Sequence, residues 1–278
     1  MIDSHFHVWD ASRRDHAWLS AVPTLEKRYD VADYEKEAQR LGIQGAILIQ
    51  VLNDVEETKE FLEIARGSTL VRGVVGWVDL AARDVDDQLA DLQDSSGGDL
   101  LVGVLHLLEG EADPRFLERP EIVRGLHAVA RRGMVFDFMG RADQLASARR
   151  VLERCDELRM VLDRAGKPDL SDLSAYGWEE NLRAMATTQR VAAKFAGMAN
   201  EAGANWSPGT LQPTVDFVID VLGPSSVMFG SDWPVCLAVA TLDEVVELSR
   251  DVFSGLTLSE WNTVFEENAR RVYRLTAA

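Results

Sequence analysis

The sequence is poor in the residues on which several functional classes depend. Its 278 residues hold two cysteines, Cys155 and Cys236, far apart in the chain. That spacing excludes a disulfide framework and any zinc ribbon or finger, which need clustered thiols. No apolar run approaches the ~20 residues needed to cross a bilayer, and the N-terminus lacks a basic, apolar leader, so a cytoplasmic protein is expected. Positive charge is also scarce: 29 Lys and Arg against 46 Asp and Glu leave a net charge of -17. Without a basic stripe, neither nucleic acid nor an anionic membrane is an expected partner. An anionic substrate would need a local group of cations to overcome the repulsive average.

What is present is ordinary globular composition, 46% hydrophobic and 27% charged, with no low-complexity tract or linker. One feature departs from this background. Of only five histidines, two lie one residue apart in IDSHFHVWD at 2–10. If the segment is extended, side chains alternate between faces, so His5 and His7 share one pocket. Imidazoles so placed can hold a metal or hydrogen-bond one another inside a barrel.

Short apolar runs rich in Val, Ile, Leu and Phe occur at 1–9, 45–51, 71–79, 100–108, 134–139, 159–164, 190–198 and 226–231. Helix-like stretches separate them, several closed by glycine, as in LG at 41–42, RG at 132–133 and LG at 222–223. Eight alternating βα units in a chain of this length predict an α/β protein, a single-domain (β/α)8 TIM barrel over residues 1–278. An extra C-terminal helix, SEWNTVFEENARRVYRL, is expected to pack on the outside.

In such a barrel the active site lies at the carboxyl ends of the strands. Candidates there are His5 and His7, Gln50, Asn53, Trp77, Asp79, His106, Asp137, Arg164, Lys167, Lys194, Asn200, Asp232 and Trp233. Asp232, in GSDWPV after the last strand, could take a proton from water or join the two imidazoles around an ion. A helix cap is the plainer reading of Asp232 alone. His16 and His127 fall in the loop after the first strand and on an outer helix.

MIDSHFHVWD, LDRAGKP, KFAGM and MFGSDWPV, in that order and spacing, resemble the amidohydrolase-related family of metal-dependent-hydrolase barrels along the whole chain. The likeness is greatest to its sugar lactonase branch, of the L-fuconolactonase and L-rhamnonolactonase kind. It implies that His5, His7 and Asp232 line the active site, with Asp232 activating water toward a lactone carbonyl. Members differ over metals: some hold one divalent ion, zinc or manganese, with these three residues, and others hydrolyse lactones without metal.

Three positions depart from the family pattern. Arg164 stands where a histidine is usual; a guanidinium stays protonated and cannot ligate, so any metal site is mononuclear, and Arg164 clamps a carboxylate, polarises a carbonyl or bridges barrel acids such as Asp163. Leu105 replaces the arginine common before His106, which is either a site group or a satisfied interior imidazole. Ala196 replaces a frequent serine, while Lys194 is kept. An ammonium in an apolar strand is costly unless paired, so Lys194 reaches Asp232, a bound oxyanion or an interior carboxylate.

The expected function is a hydrolase opening a sugar-acid or related carboxylated lactone, with Asp232, His5, His7, Arg164, Lys194 and His106 as catalytic candidates. The expected partner is a small-molecule substrate, with a homodimer left open. Alternatives are a repurposed decarboxylase, deacylase or isomerase in the same barrel, and a catalytically silent ligand-binding barrel.

Overall fold

The computed structural model describes residues 1–276. Eight parallel strands form one sheet in chain order: β1 (Ile2–Phe6), β2 (Gly45–Ile49), β3 (Val71–Gly76), β4 (Leu101–Leu107), β5 (Val135–Met139), β6 (Arg159–Leu162), β7 (Val191–Phe195) and β8 (Val227–Phe229). Their residues are mostly apolar and mostly buried on both faces, as a barrel wall requires. The helices between them are α1 (Val31–Arg40), α2 (Val55–Arg66), α3 (Val85–Asp94), α4 (Pro120–Arg131), α5 (Leu145–Arg154), α6 (Trp178–Ala186), α7 (Pro208–Leu222) and α8 (Leu242–Val252). Their starts follow local chemistry: Asp30 with Asp33 and Thr241 with Glu244 form reciprocal capping boxes, and Pro120 opens α4.

β8 is only three residues long, and the ring closes mainly beyond its end. His7 N donates to Trp233 O at 2.7 Å and Asp232 N to His5 O at 2.8 Å, with a parallel bridge between Phe6 and Trp233. Ser4 Oγ adds a 2.6 Å bond to Phe229 O.

Two apolar layers result. Leu48, Val74, Val104 and Phe136 face the helices, whereas Ile47, Val75, Leu105, Val161, Ala192 and Met228 fill the lumen. The C-terminal helix, 258–272, packs outside as expected over its first half, where Val264 and Phe265 join the outer apolar layer and Phe265 stacks on Phe229 at 5.3 Å, but its end does not. Ala269, Val272 and Tyr273 at its end join the lumen cluster. Asn268 Nδ2 fastens it to Val227 O at 2.7 Å, and Arg159 Nη1 donates to Val272 O at 2.8 Å. The apolar residues of ARRVYRL thus cover the amino-terminal end of the strands, which would otherwise open the lumen to water.

Candidate active site

At the carboxyl end of β1 the two imidazoles meet: His5 Nε2 and His7 Nε2 are 3.0 Å apart. Each ring is oriented from behind. His7 Nδ1 donates to Ile49 O at 3.0 Å, and His5 Nδ1 lies 3.1 Å from Asp163 Oδ1. Burial, with Lys194 and His7 nearby, pushes the His5 pKa well below the usual imidazole value, so its ring is neutral. With Nδ1 of each ring turned outward, the two Nε2 atoms face each other. Lone pairs on both atoms at that distance repel unless they share a positive charge, either a proton or a cation.

Asp232 completes the group. Its Oδ1 lies 3.3 Å from His7 Nε2 and 3.5 Å from His5 Nε2, is buried, and has no hydrogen-bond partner among the described residues. Oδ2 is held by Arg164 Nη2 at 3.0 Å. Burial alone would raise the Asp232 pKa, but Arg164 and the two imidazoles outweigh it and hold the group below the usual carboxylate range. His5, His7 and Asp232 are therefore a two-imidazole, one-carboxylate set converging on one point, with outer partners fixing each ring. That donor set, and the bare Asp232 Oδ1 within it, fit one zinc-like divalent ion.

The segment that brings Arg164 here is unusual. Arg164, Ala165, Gly166 and Lys167 all have positive φ (52°, 53°, 75° and 52°), one left-handed turn after β6. Three non-glycine residues in that region cost on the order of 1–2 kcal/mol each, a strain borne where it positions a side chain. Trp178 Nε1 clamps the turn through Ala165 O at 2.9 Å. Arg164 Nη1 then grips Glu201 at 2.7 Å, which Lys167 also approaches at 3.2 Å. Arg164 bridges Asp232 and Glu201, not Asp163.

Lys194 does not reach Asp232. Fully buried below His5, its Nζ pairs with Asp137 Oδ2 at 2.5 Å and Asp163 Oδ1 at 2.9 Å, and lies 3.3 Å from His5 Nδ1. Tyr273 from the C-terminal helix donates to the same Asp137 oxygen at 2.7 Å. Burial alone would lower the Lys194 pKa, but the two carboxylates outweigh it and keep the ammonium charged. Burial raises Asp137 to about 6 against the pull of Lys194. The lysine is an interior counterion, and its geometry offers no contact with a substrate.

His106 has both nitrogens occupied, receiving Trp77 Nε1–H at Nδ1 (3.2 Å) and meeting Glu111 at Nε2 (2.9 Å), with its ring stacked on Phe116. Gln50 is buried with neither amide atom paired among the described residues; Asn53 accepts from Leu107 N at 3.1 Å and Asn200 donates to Val235 O at 3.0 Å. Asp79 is exposed. His127 sits on α4 beside Cys155.

Positioning groups that the sequence reading passed over lie within its own motifs. Asp3, two residues before His5, is buried and accepts from His5 N (3.0 Å), Ser231 N (2.8 Å) and the Tyr34 hydroxyl, tying β1 to the loop that carries Asp232. Gly197 of KFAGM has φ +65°, and a Cβ there would stand 2.5 Å from Asp232 Oδ2 and 2.8 Å from Arg164 Nε, so any side chain would part that ion pair. The cluster touches solvent only at its edges, where the side chains of His7 and Arg164 are 9% and 15% exposed. On the Arg164 side a cavity of about 340 Å3 opens, lined by Glu201, Lys167, Arg141 and Tyr176.

Comparison with known proteins agrees with this geometry. The amidohydrolase family model matches residues 2–275. An L-fucono-1,5-lactonase of Burkholderia multivorans is 33% identical over 99% of this chain and 96% of its own, and one of Burkholderia ambifaria is 28% identical over 84% and 80%. An amidohydrolase of Burkholderia multivorans crystallised with bound zinc superposes with a TM-score of 0.90 at 30% identity, covering 99% of both chains. Eight strands in barrel order, the histidine pair on the first and the carboxylate after the last belong to one lineage: this chain is a member of the amidohydrolase family.

Proposed function

We propose that the protein is a lactonase that opens a sugar-acid or related lactone with water activated at Asp232. The observation that carries this reading is the bare Asp232 Oδ1 facing the Nε2 atoms of His5 and His7, an acceptor placed where a water proton would go. The names of the two Burkholderia relatives support the substrate class, a cyclic ester of a sugar acid.

The chain's residues divide the work. Asp232 Oδ1 accepts the proton from water as its oxygen attacks the ring carbonyl, while Arg164 fixes Oδ2 so that Oδ1 keeps its aim. His7, the ring with solvent access, is placed to meet the carbonyl side of the substrate, and His5 holds His7 in register from below. Lys167 and Arg141 line the 340 Å3 cavity together with Asp143, Asp169 and Glu201, so this lining holds cations for a carboxylated product but no surplus of positive charge. His5, His7 and Asp232 would hold a divalent ion, zinc or manganese, which when bound lowers the pKa of water and polarises a carbonyl. Lys194 and Asp137 act through His5 and Asp163, setting charge beneath the site.

The test is acid release, followed with a pH indicator, from a panel of 1,4- and 1,5-aldonolactones. Turnover of at least one six-carbon lactone is expected, and none across the panel overturns the reading. Metal analysis of protein purified without chelator should find about one zinc or manganese per chain, lost in His5→Ala; active protein free of metal would leave the electrostatic role to Arg164.

A further inference from the structure

A larger cavity, about 640 Å3, is lined by the loop that follows β1, from Val8 onward, by the start of α1 and by α2. None of His5, His7, Arg164 or Asp232 lines it. Its size is that of small-molecule sites. Trp9 and Tyr29, packed edge to face at 5.1 Å, give it aromatic walls, and Phe61 of α2 adds another.

Two buried polar residues of its lining each keep one atom without a hydrogen-bond partner among the described residues. His16 is 6% exposed; Nδ1 donates to Arg14 O at 2.9 Å, leaving Nε2 as a lone pair with no partner. Burial lowers the His16 pKa, which keeps that lone pair free. Glu57 is 1% exposed; Oε2 accepts from Val51 N (2.7 Å) and Leu52 N (2.9 Å), while Oε1 accepts no hydrogen bond among the described residues. The cations at the rim are already engaged, Arg13 and Arg14 with Glu60 and Arg28 with Asp30. An anion would find no free charge there, and a purely apolar ligand would leave His16 and Glu57 unpaired, at a cost.

We propose that this cavity is a second binding site, separate from the catalytic centre, for a neutral ring bearing several hydroxyls. The ring is a pyranose sugar or an unopened lactone. Its hydroxyls donate to His16 Nε2 and Glu57 Oε1, and its C–H face lies against Trp9 and Tyr29. The proposal does not depend on the lactonase reading.

Ligand-observed saturation-transfer NMR tests it with L-fucose and D-glucose, pyranoses with no ester to open, and with an aldonolactone on the Asp232→Asn variant. A saturable response is expected in the wild type and in Asp232→Asn. It should weaken about tenfold or more in His16→Phe, several-fold in Glu57→Gln, and vanish in Ile64→Trp, which fills the cavity from α2 and leaves both acceptors in place. Thermal unfolding identifies the folded variants; Ile64→Trp and Glu57→Gln decide if His16→Phe does not fold. Tighter binding of the lactone assigns the site to unreacted substrate, and tighter binding of the sugar assigns it to a sugar effector; both support the site. No saturable response in the wild type overturns it. So does a response that survives in every folded cavity variant, or one lost in Asp232→Asn and kept in the others.

Discussion

The two sides of the barrel mouth are built from different chemistry. The arc from β5 through β8 to β1 carries Asp137, Asp163, Arg164, Lys194, Asp232 and both histidines of the cluster, linked by ion pairs and hydrogen bonds of 2.5–3.5 Å. The arc from β2 to β4 ends in Gln50, Trp77 and His106, whose contacts are those of neutral groups apart from His106 with Glu111. Charge that must react is confined to one side, where each charged group is held by at least one opposite partner. The other side is left to shape and hydrogen bonding. In a low-dielectric lumen this separation matters, because an unpaired charge placed opposite would shift every pKa in the cluster.

The comparison breaks most severely at Asp232. Asp232→Asn removes the proton acceptor and should lower kcat by about 10³-fold; hydrolysis retained at near wild-type rate would place the base elsewhere. Next is Lys194→Met, which strands two buried carboxylates and should destabilise the fold by about 3–5 kcal/mol in urea unfolding. An unchanged midpoint and slope would show that Asp137 and Asp163 are already neutral. Arg164→Lys should reduce kcat/KM by roughly 10²-fold, because one ammonium cannot reproduce the two-ended bridge between Asp232 and Glu201; a steady-state comparison with Arg164→Met separates geometry from charge.

The smallest effect belongs to the quieter side. Burial raises Glu57 from 4.5 to about 7, against the pull of two backbone amides. A carboxyl with a folded pKa above its unfolded one favours the folded state while protonated, so its contribution is full below pH 4.5 and declines as pH rises through 7. Glu57→Gln should flatten that decline by about 1–3 kcal/mol, read as the pH dependence of the melting temperature between pH 5 and 8. Identical slopes in variant and wild type would assign the decline to Asp3 and Asp137, whose pKa values burial also raises.

Much of this was legible in the chain itself. The eight apolar runs and their intervening helices follow from periodicity, and the HxH spacing with a late Asp announced the cluster's members. Lys194 was ambiguous from sequence, since an ammonium in an apolar strand requires a partner but does not name one. Its partners come from β5 and β6, a pairing set by barrel closure. The C-terminal helix was only half legible for a related reason: its amphipathic pattern shows an apolar face but not which surface covers it, and here that surface is the outer layer for Phe265 and the floor of the lumen for Val272 and Tyr273. Asp3 and Gly197 left only faint signals. One is an acid in a strand with no neighbour to pair with, the other a glycine following a strand, and each acquires meaning only when the groups around Asp232 are in place.

The join between the first and last strands has a final implication. The peptide groups that complete the ring belong to His5, His7, Asp232 and Trp233, so the fastening of the cylinder and its reactive centre are one set of residues. Loosening that join by heat, denaturant or mutation would silence the enzyme before the rest of the wall gives way, which makes turnover a sensitive gauge of whether the circle is whole.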